Sequence, residues 1–220
     1  MRFHDRRDAG RQLGERLRED RSDLVQPVVL ALPRGGVPVA FEVARALRAP
    51  LEVFVARKVG APQHPEYGIG AIAEGGGVVC DHLAMRAVGL VPSRFDALVV
   101  NEQRELERRV TRYRGDRPLP PLSGRTVILV DDGLATGVTA EAALRALRDM
   151  RPARLVLAVP VCAPDTVARL RPLLDELVCL HAPVGFSAVG QWYAHFGQTT
   201  DEEVDELLHA ARQQREVMHE

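Results

Sequence analysis

Residues 125–140 read RTVILVDDGLATGVTA, and the reading of this stretch decides the fold. Thr126 to Val130 is an apolar and β-branched run without polar alternation, the pattern of a strand buried on both faces. It runs into two adjacent carboxylates, Asp131 and Asp132, and then into Gly133, Leu134, Ala135, Thr136, Gly137, Val138 and Thr139, a loop of small residues at the mouth of a helix. A core strand has no use for paired acids. At the carboxyl end of a parallel strand they are useful, because open α/β sheets bind their ligands there. The loop can wrap a phosphate with backbone N–H groups at a helix start, and Thr136 and Thr139 add hydroxyl donors. Acids beside an anion cradle suit a ligand that carries both a phosphate and a hydroxylated or metal-bearing part, as a sugar phosphate does.

The flanking sequence repeats the strand and helix rhythm. Spacing of Ala9, Leu13 and Leu17 predicts a surface helix from Asp5 to Asp20. PVVLAL (27–32) reads as a buried strand ending at PRGG, VPVAFEVARALRA (37–49) as a helix and LEVFVA (51–56) as the next strand, a β-loop-α-β unit. Residues 59–78, rich in glycine and with little periodicity, read as a long loop of the kind that is either a functional lid or disordered. PSRFDALVVNEQRELERRVTRYR (92–114) is a long charged helix. Beyond the quoted stretch, RLVLAVPV (154–161), PDTVARLRPLL (164–174) and ELVCLHA (176–182) continue as strand, helix and strand.

The fold class is therefore α/β, a mainly parallel twisted sheet with helices on both faces. Residues 1–182 form the core, with residues 59–78 as a flexible flap, and residues 183–220 form an aromatic-rich appendage and a final helix that Thr200 or Asp201 can cap. At 220 residues, with 46% hydrophobic and 27% charged content, the chain can fill one such core and is neither disordered nor fibrous. Its 29 basic and 30 acidic residues leave no global field to steer a polyanion, so nucleic acid is not an expected partner. The basic stretch from Arg104 to Arg117 is the sole candidate for an RNA-binding face. Cys80, Cys162 and Cys179 form no Cys-x-x-Cys pair and read as reduced thiols. No apolar run reaches membrane-spanning length and no signal peptide is visible, which makes the cytoplasm the expected compartment.

VILVDDGLATGVTA resembles the fingerprint of the type I phosphoribosyltransferases, which bind 5-phosphoribosyl 1-pyrophosphate: four apolar residues, two acids, two small or apolar residues, then Ala-Thr-Gly and a Thr. The resemblance implies that Asp131 and Asp132 hold the ribose hydroxyls and meet Mg²⁺ directly or through water, while Ala135 to Thr139 hold the 5-phosphate. ALPRGGVPVA (31–40) is similar to the family's pyrophosphate loop, with Arg34, Gly35 and Gly36 as the anion contacts and a non-prolyl cis peptide expected at Pro33–Arg34. By the same resemblance Arg57 and Lys58 meet pyrophosphate at the start of the flap, and a homodimer is expected. Read without the resemblance, a basic pair at a strand's carboxyl end suits a pyrophosphate better than the alternative, a solvated surface pair.

Ala135 stands where hypoxanthine-guanine enzymes carry an acid, as in the adenine enzymes, which place a Glu in the flap instead. Glu74 is the nearest candidate for that proton carrier and Glu66 its rival; an exposed carboxylate without a role is the alternative for each. Phe186, Trp192, Tyr193, Phe196 and His195 of the tail are available to a planar base in the family's hood, or else pack the tail on the core. The implied activity is transfer of phosphoribosyl to a nitrogen base, purine-like by preference. The alternative is a regulator that keeps the fold to sense the donor or a nucleotide. No Gly-x-x-x-x-Gly-Lys-Ser/Thr loop points to a triphosphatase.

Overall fold

The computed structural model describes residues 2–19 and 24–219. Five strands, β1 (Val28–Ala31), β2 (Leu51–Val53), β6 (Thr126–Val130), β7 (Arg154–Val161) and β8 (Glu176–His181), form one sheet in the order β2-β1-β6-β7-β8. All four pairings are parallel. Alternate residues of each strand enter two separate cores. Val29, Ala31, Ile128, Val130, Val156 and Ala158 face one side. Val28, Leu30, Val127, Leu129, Leu155 and Leu157 face the other. This division is why β1, β6 and β7 read as continuous apolar runs: neither of their faces meets water.

The first core is covered by α1 (Arg6–Glu19), α2 (Gly36–Leu47) and the last helix, α7 (Asp201–His219). Asp5 caps α1, its Oδ1 accepting from the Asp8 N–H at 2.8 Å. The helix ends at Glu19; Asp20, included in the sequence reading, lies outside the described residues. Gly10 and Gly14 let α1 lie directly on α2. A Cβ at Gly10 would come within 2.7 Å of the Val39 carbonyl oxygen, and one at Gly14 within 2.8 Å of the Ala46 Cβ. Thr200 caps α7 by accepting from the Glu203 N–H at 3.2 Å, and Val204, Leu207 and Leu208 bury the helix against the core. The second core is covered by α5 (Val138–Asp149) and α6 (Pro164–Leu170).

Residues 56–80 differ from the long loop the composition suggests. They fold as an antiparallel sheet of β3 (Ala56–Ala61), β4 (His64–Ala73) and β5 (Gly77–Cys80). Ile69, Ala71, Ile72 and Ala73 are buried, whereas His64 to Tyr67 at the far end of β4 are exposed. The period of two is hidden because glycine fills positions where neighbours leave no room: a Cβ at Gly70 would meet the Phe95 ring at 2.7 Å. LEVFVA divides accordingly. Leu51–Val53 pairs with β1, and the chain then turns into β3. A short helix, α3 (His82–Ala87), unread in the sequence, is capped by Asp81, which accepts from Leu83 and Ala84 N–H groups. The long helix α4 spans Pro92–Arg114 as its sequence predicts.

The N-terminal segment, read with the core, pairs with the tail. Phe3 donates its N–H to the Trp192 carbonyl at 2.8 Å and accepts from the Ala194 N–H at 2.8 Å, and the His195 N–H reaches the His4 carbonyl at 2.9 Å. The three cysteines are free. Burial pushes the Cys162 thiol up to about 12 and Cys179 to about 11, which keeps both protonated and unreactive at neutral pH. No helix among the described residues is long and apolar enough to cross a membrane.

Candidate active site

Two loops meet at the carboxyl ends of β1 and β6. After β6 the chain delivers Asp131 and Asp132, then Leu134, which is held in a parallel bridge to Cys162 by its N–H on the Val161 carbonyl and its carbonyl on the Ala163 N–H, both 2.9 Å. Residues 135–137 lead into α5, whose Glu141 N–H bonds the Gly137 carbonyl at 2.9 Å. Helix geometry therefore leaves the Val138, Thr139 and Ala140 N–H groups without intrahelical partners. From α6, Thr166 donates to the Ala135 carbonyl at 2.5 Å and Arg169 donates to the Thr136 carbonyl while pairing with Glu141. These contacts hold the loop's carbonyls from α6. The first turn of α5 keeps the positive end of a helix and unshared donors, which is what a phosphate needs.

After β1 comes the second loop, with a cis peptide at Pro33–Arg34 as expected. It lies against the acids. A Cβ at Gly35 would fall 2.1 Å from Asp132 Oδ2, and one at Gly36 would fall 2.8 Å from the Val130 carbonyl oxygen and 3.0 Å from Asp131 Cα. The Gly-Gly pair thus serves to bring one backbone loop onto the acidic pair of the other. Gly35→Ala is expected to destabilise the protein by about 1–3 kcal/mol through overpacking, measured by chemical denaturation. An unchanged midpoint would mean that Asp132 retreats freely.

The two acids are electrostatically costly. Burial raises the Asp131 carboxyl well above the usual carboxylate range, and the neighbouring Asp132 adds to this, opposed by the Asp132 N–H that Asp131 Oδ1 accepts at 2.9 Å. Burial also raises Asp132, opposed by the Arg6 guanidinium, whose Nε lies 2.7 Å from Oδ2. Adjacent, desolvated carboxylates of this kind favour a cation or hydroxyl donors on their open side.

The other sequence candidates are distributed differently. The Arg34 side chain extends toward the α4–α7 junction, 3.7 Å from Asp201, whose carboxylate also accepts from Tyr113 at 2.5 Å. Arg57 on β3 pairs with Glu102 of α4 at 2.6 Å, and Lys58 donates to the Glu66 carbonyl at 2.8 Å. Together with Pro62 and Pro65 they line an open cavity of about 430 Å³ on the flap's α4 side. Glu66 is exposed at the flap tip.

Glu74 is buried at the flap's root with both carboxylate oxygens committed. Oε1 accepts from the Val55 N–H at 2.7 Å and from Arg114 at 3.2 Å, and Oε2 pairs with the same guanidinium. Three of the carboxylate's about four acceptor positions are thus filled by a backbone N–H and a buried guanidinium, which makes Glu74 part of a structural ion pair in this arrangement.

In the tail, Tyr193 is a buried anchor. Its hydroxyl donates to the Asp132 carbonyl at 2.5 Å, and its ring packs between Phe3 and Phe196, with centroids 5.5 and 5.0 Å away. Burial pushes its hydroxyl pKa up, so it remains a donor. Phe186 and Trp192 are half-buried, and His195 is exposed with its ring against His4. Reasoning from the sequence missed Arg6, Thr166, Arg169 and Arg114, all of them polar residues on helices that give no periodic signal of their contacts.

Comparison with known proteins bears on this arrangement. The model of the phosphoribosyl transferase domain matches residues 4–186. A protein of Mycobacterium tuberculosis H37Rv, provisionally named a phosphoribosyl transferase, is 49% identical over 209 residues, which are 95% of this chain and 47% of that one. This chain spans about half the length of the curated relatives that it matches over most of its own. The crystal structure of TT1426 from Thermus thermophilus is 46% identical, with a TM-score of 0.78, and the match covers 94% of this chain and 98% of that one. A shorter segment, 63 residues or 28% of this chain, is 67% identical to the bifunctional protein PyrR of Roseiflexus.

Proposed function

The chain belongs to the phosphoribosyl transferase family, and on that premise we propose that it transfers the phosphoribosyl group of 5-phosphoribosyl 1-pyrophosphate to a nitrogen base and releases pyrophosphate. The observation that carries this reading is the meeting of Asp131 and Asp132 with the Gly35–Gly36 backbone beside the open first turn of α5. That arrangement offers anion contacts on two sides of a hydroxyl-binding acid pair. The 5-phosphate takes the loop Ala135–Thr139, the ribose hydroxyls take the acids, and the pyrophosphate takes the loop at Arg34–Gly36. Arg57 and Lys58 serve the pyrophosphate after release from their present partners, and a cytoplasmic homodimer is part of the same reading.

In the reaction the C1–O bond to pyrophosphate breaks as the base nitrogen forms a C1–N bond. Positive charge develops on the sugar ring, which Asp131 and Asp132 favour. Negative charge develops on the leaving group, which the backbone donors neutralise, joined by Arg34 once its side chain leaves Asp201. Two buried carboxylates suit the oxygen-seeking, partly hydrated Mg²⁺. Among the described residues no group of three or more His, Cys, Asp or Glu side chains gathers to hold a metal by itself, so the donor set fits an ion that arrives on the pyrophosphate. When bound, that ion supplies charge neutralisation on the leaving group. The half-buried Trp192 is the proposed stacking surface for a planar, purine-like acceptor, in the tail segment whose Phe196 ring is held between Tyr193 and Arg6. With Glu74 committed to Arg114, no protein carboxylate is assigned to protonate or deprotonate the base.

The test is pyrophosphate release from the donor and Mg²⁺ with a panel of purines, pyrimidines and other nitrogen acceptors. Donor binding by calorimetry without turnover on any acceptor would favour a sensor over an enzyme. Absence of donor binding would refute both.

A further inference from the structure

Arg6, the first residue of α1, joins three parts of the molecule through one guanidinium. Its Nε bonds Asp132 Oδ2 at 2.7 Å, and its Nη1 donates to the Gly197 carbonyl at 2.6 Å. The guanidinium carbon lies 3.9 Å from the centroid of the Phe196 ring. The side chains of Arg6 and Asp132 are 13% and 14% exposed. A Cβ at Gly35 would also lie 3.4 Å from Arg6 Nε, so the pair is packed against the anion loop. Only a planar fork can bond a carboxylate, donate to a carbonyl and stack on a ring at the same time; an ammonium group supplies charge but not this geometry.

We propose that Arg6 is a positioning residue: it fixes the Asp132 carboxylate for the sugar hydroxyls of the donor and ties the acceptor-side segment Phe196–Gly197 to it. The proposal rests on the functional reading above. It follows from which oxygen Arg6 takes. A carboxylate has about four acceptor positions; Arg6 takes one on Oδ2 and the residue's own N–H lies by the carboxylate, which leaves positions on Oδ1 for a hydroxyl. The Asp132 backbone carbonyl is held in turn by Tyr193, which precedes the Arg6 contacts at Phe196 and Gly197 in the same segment. Asp132 is thus held at its main chain by the tail and at its side chain by an arginine of α1 that itself bonds the tail, so the geometry of the sugar site depends on the tail being seated. Donor and acceptor sites are coupled through this one guanidinium.

The experiment is calorimetric titration of the full chain with 5-phosphoribosyl 1-pyrophosphate and Mg²⁺, as the unsubstituted protein, Arg6→Ala and Arg6→Lys. Amide hydrogen exchange over residues 193–199 is measured in parallel. Arg6→Ala is expected to weaken donor binding by about tenfold or more, the scale of one charge-assisted hydrogen bond, and free guanidinium in the buffer restores part of that affinity. Arg6→Lys recovers less than half of the loss on a logarithmic scale, and exchange at Ala194 and His195 rises in both variants. Donor affinity that is unchanged or tighter in Arg6→Ala would overturn the proposal, the tighter case identifying Arg6 as a competitor for Asp132. A lack of guanidinium rescue in a folded Arg6→Ala protein would overturn it too. If the unsubstituted chain binds no donor, the functional reading fails first and this proposal with it, whereas failure confined to the Arg6 variants leaves that reading standing.

Discussion

Replacing both acids, Asp131→Asn with Asp132→Asn, is expected to lower kcat/KM by a factor of about 10² to 10⁴. Hydrogen bonds to a charged group contribute about 1.5–3 kcal/mol each, two are lost, and every 1.4 kcal/mol is about tenfold. Asparagine keeps the shape, so the loss reads charge and acceptor capacity rather than packing. The single substitutions separate function from stability. Asp131 carries the strongest burial penalty and faces a like charge, so Asp131→Asn is expected to leave the melting temperature unchanged or raised. Asp132→Asn strips Arg6 of its partner in a mostly buried setting and is expected to lower it. Steady-state kinetics and thermal unfolding on the same preparations check both. Wild-type turnover in the double variant would sink the assignment of the ribose site.

The second large effect is one of stability. Glu74 and Arg114 form a buried pair that joins the flap's root to the last residue of α4, and Arg114 also donates to the Val53 carbonyl at 3.3 Å on the edge strand β2. Removing one partner of such a pair leaves an uncompensated buried charge and costs about 3–5 kcal/mol. At about 2–4 °C per kcal/mol for a chain of this size, Arg114→Met is expected to lower the melting temperature by roughly 6–20 °C, and Glu74→Gln by a similar or smaller amount. The double substitution should cost less than either single change, because no orphaned charge remains. Turnover per folded molecule is expected to persist in Glu74→Gln. A large fall in kcat with an unchanged melting temperature would return Glu74 to proton transfer.

How much was legible follows from which interactions are local. The strands β1, β6 and β7 announce themselves because burial on both faces removes polar residues from consecutive positions. Helix α4 could be bounded to the residue, since Pro92 opens it and Gly115 closes it, and the cap of α7 could be narrowed to Thr200 or Asp201. The flap was misread as a loop. Its strands substitute glycine where a neighbouring ring or carbonyl leaves no room, and a glycine erases the alternation by which a strand is recognised.

The loops after β1 and β6 and the acid pair were likewise local, with backbone conformation encoded in consecutive residues. What consecutive residues cannot encode is the partner of a long polar side chain. Arg6 and Asp132 are 126 positions apart, and Arg114 and Glu74 are 40 apart. Each arginine reads as one more charge on a charged helix. The sequence alone determined the parallel sheet, the two glycine-bearing loops beside the acid pair and the family, because these rest on runs of adjacent residues. Only the tertiary structure decided that Glu74 is a buried strut and that an N-terminal arginine stands beside the acid pair, because ion pairs are selected by proximity in the packed chain.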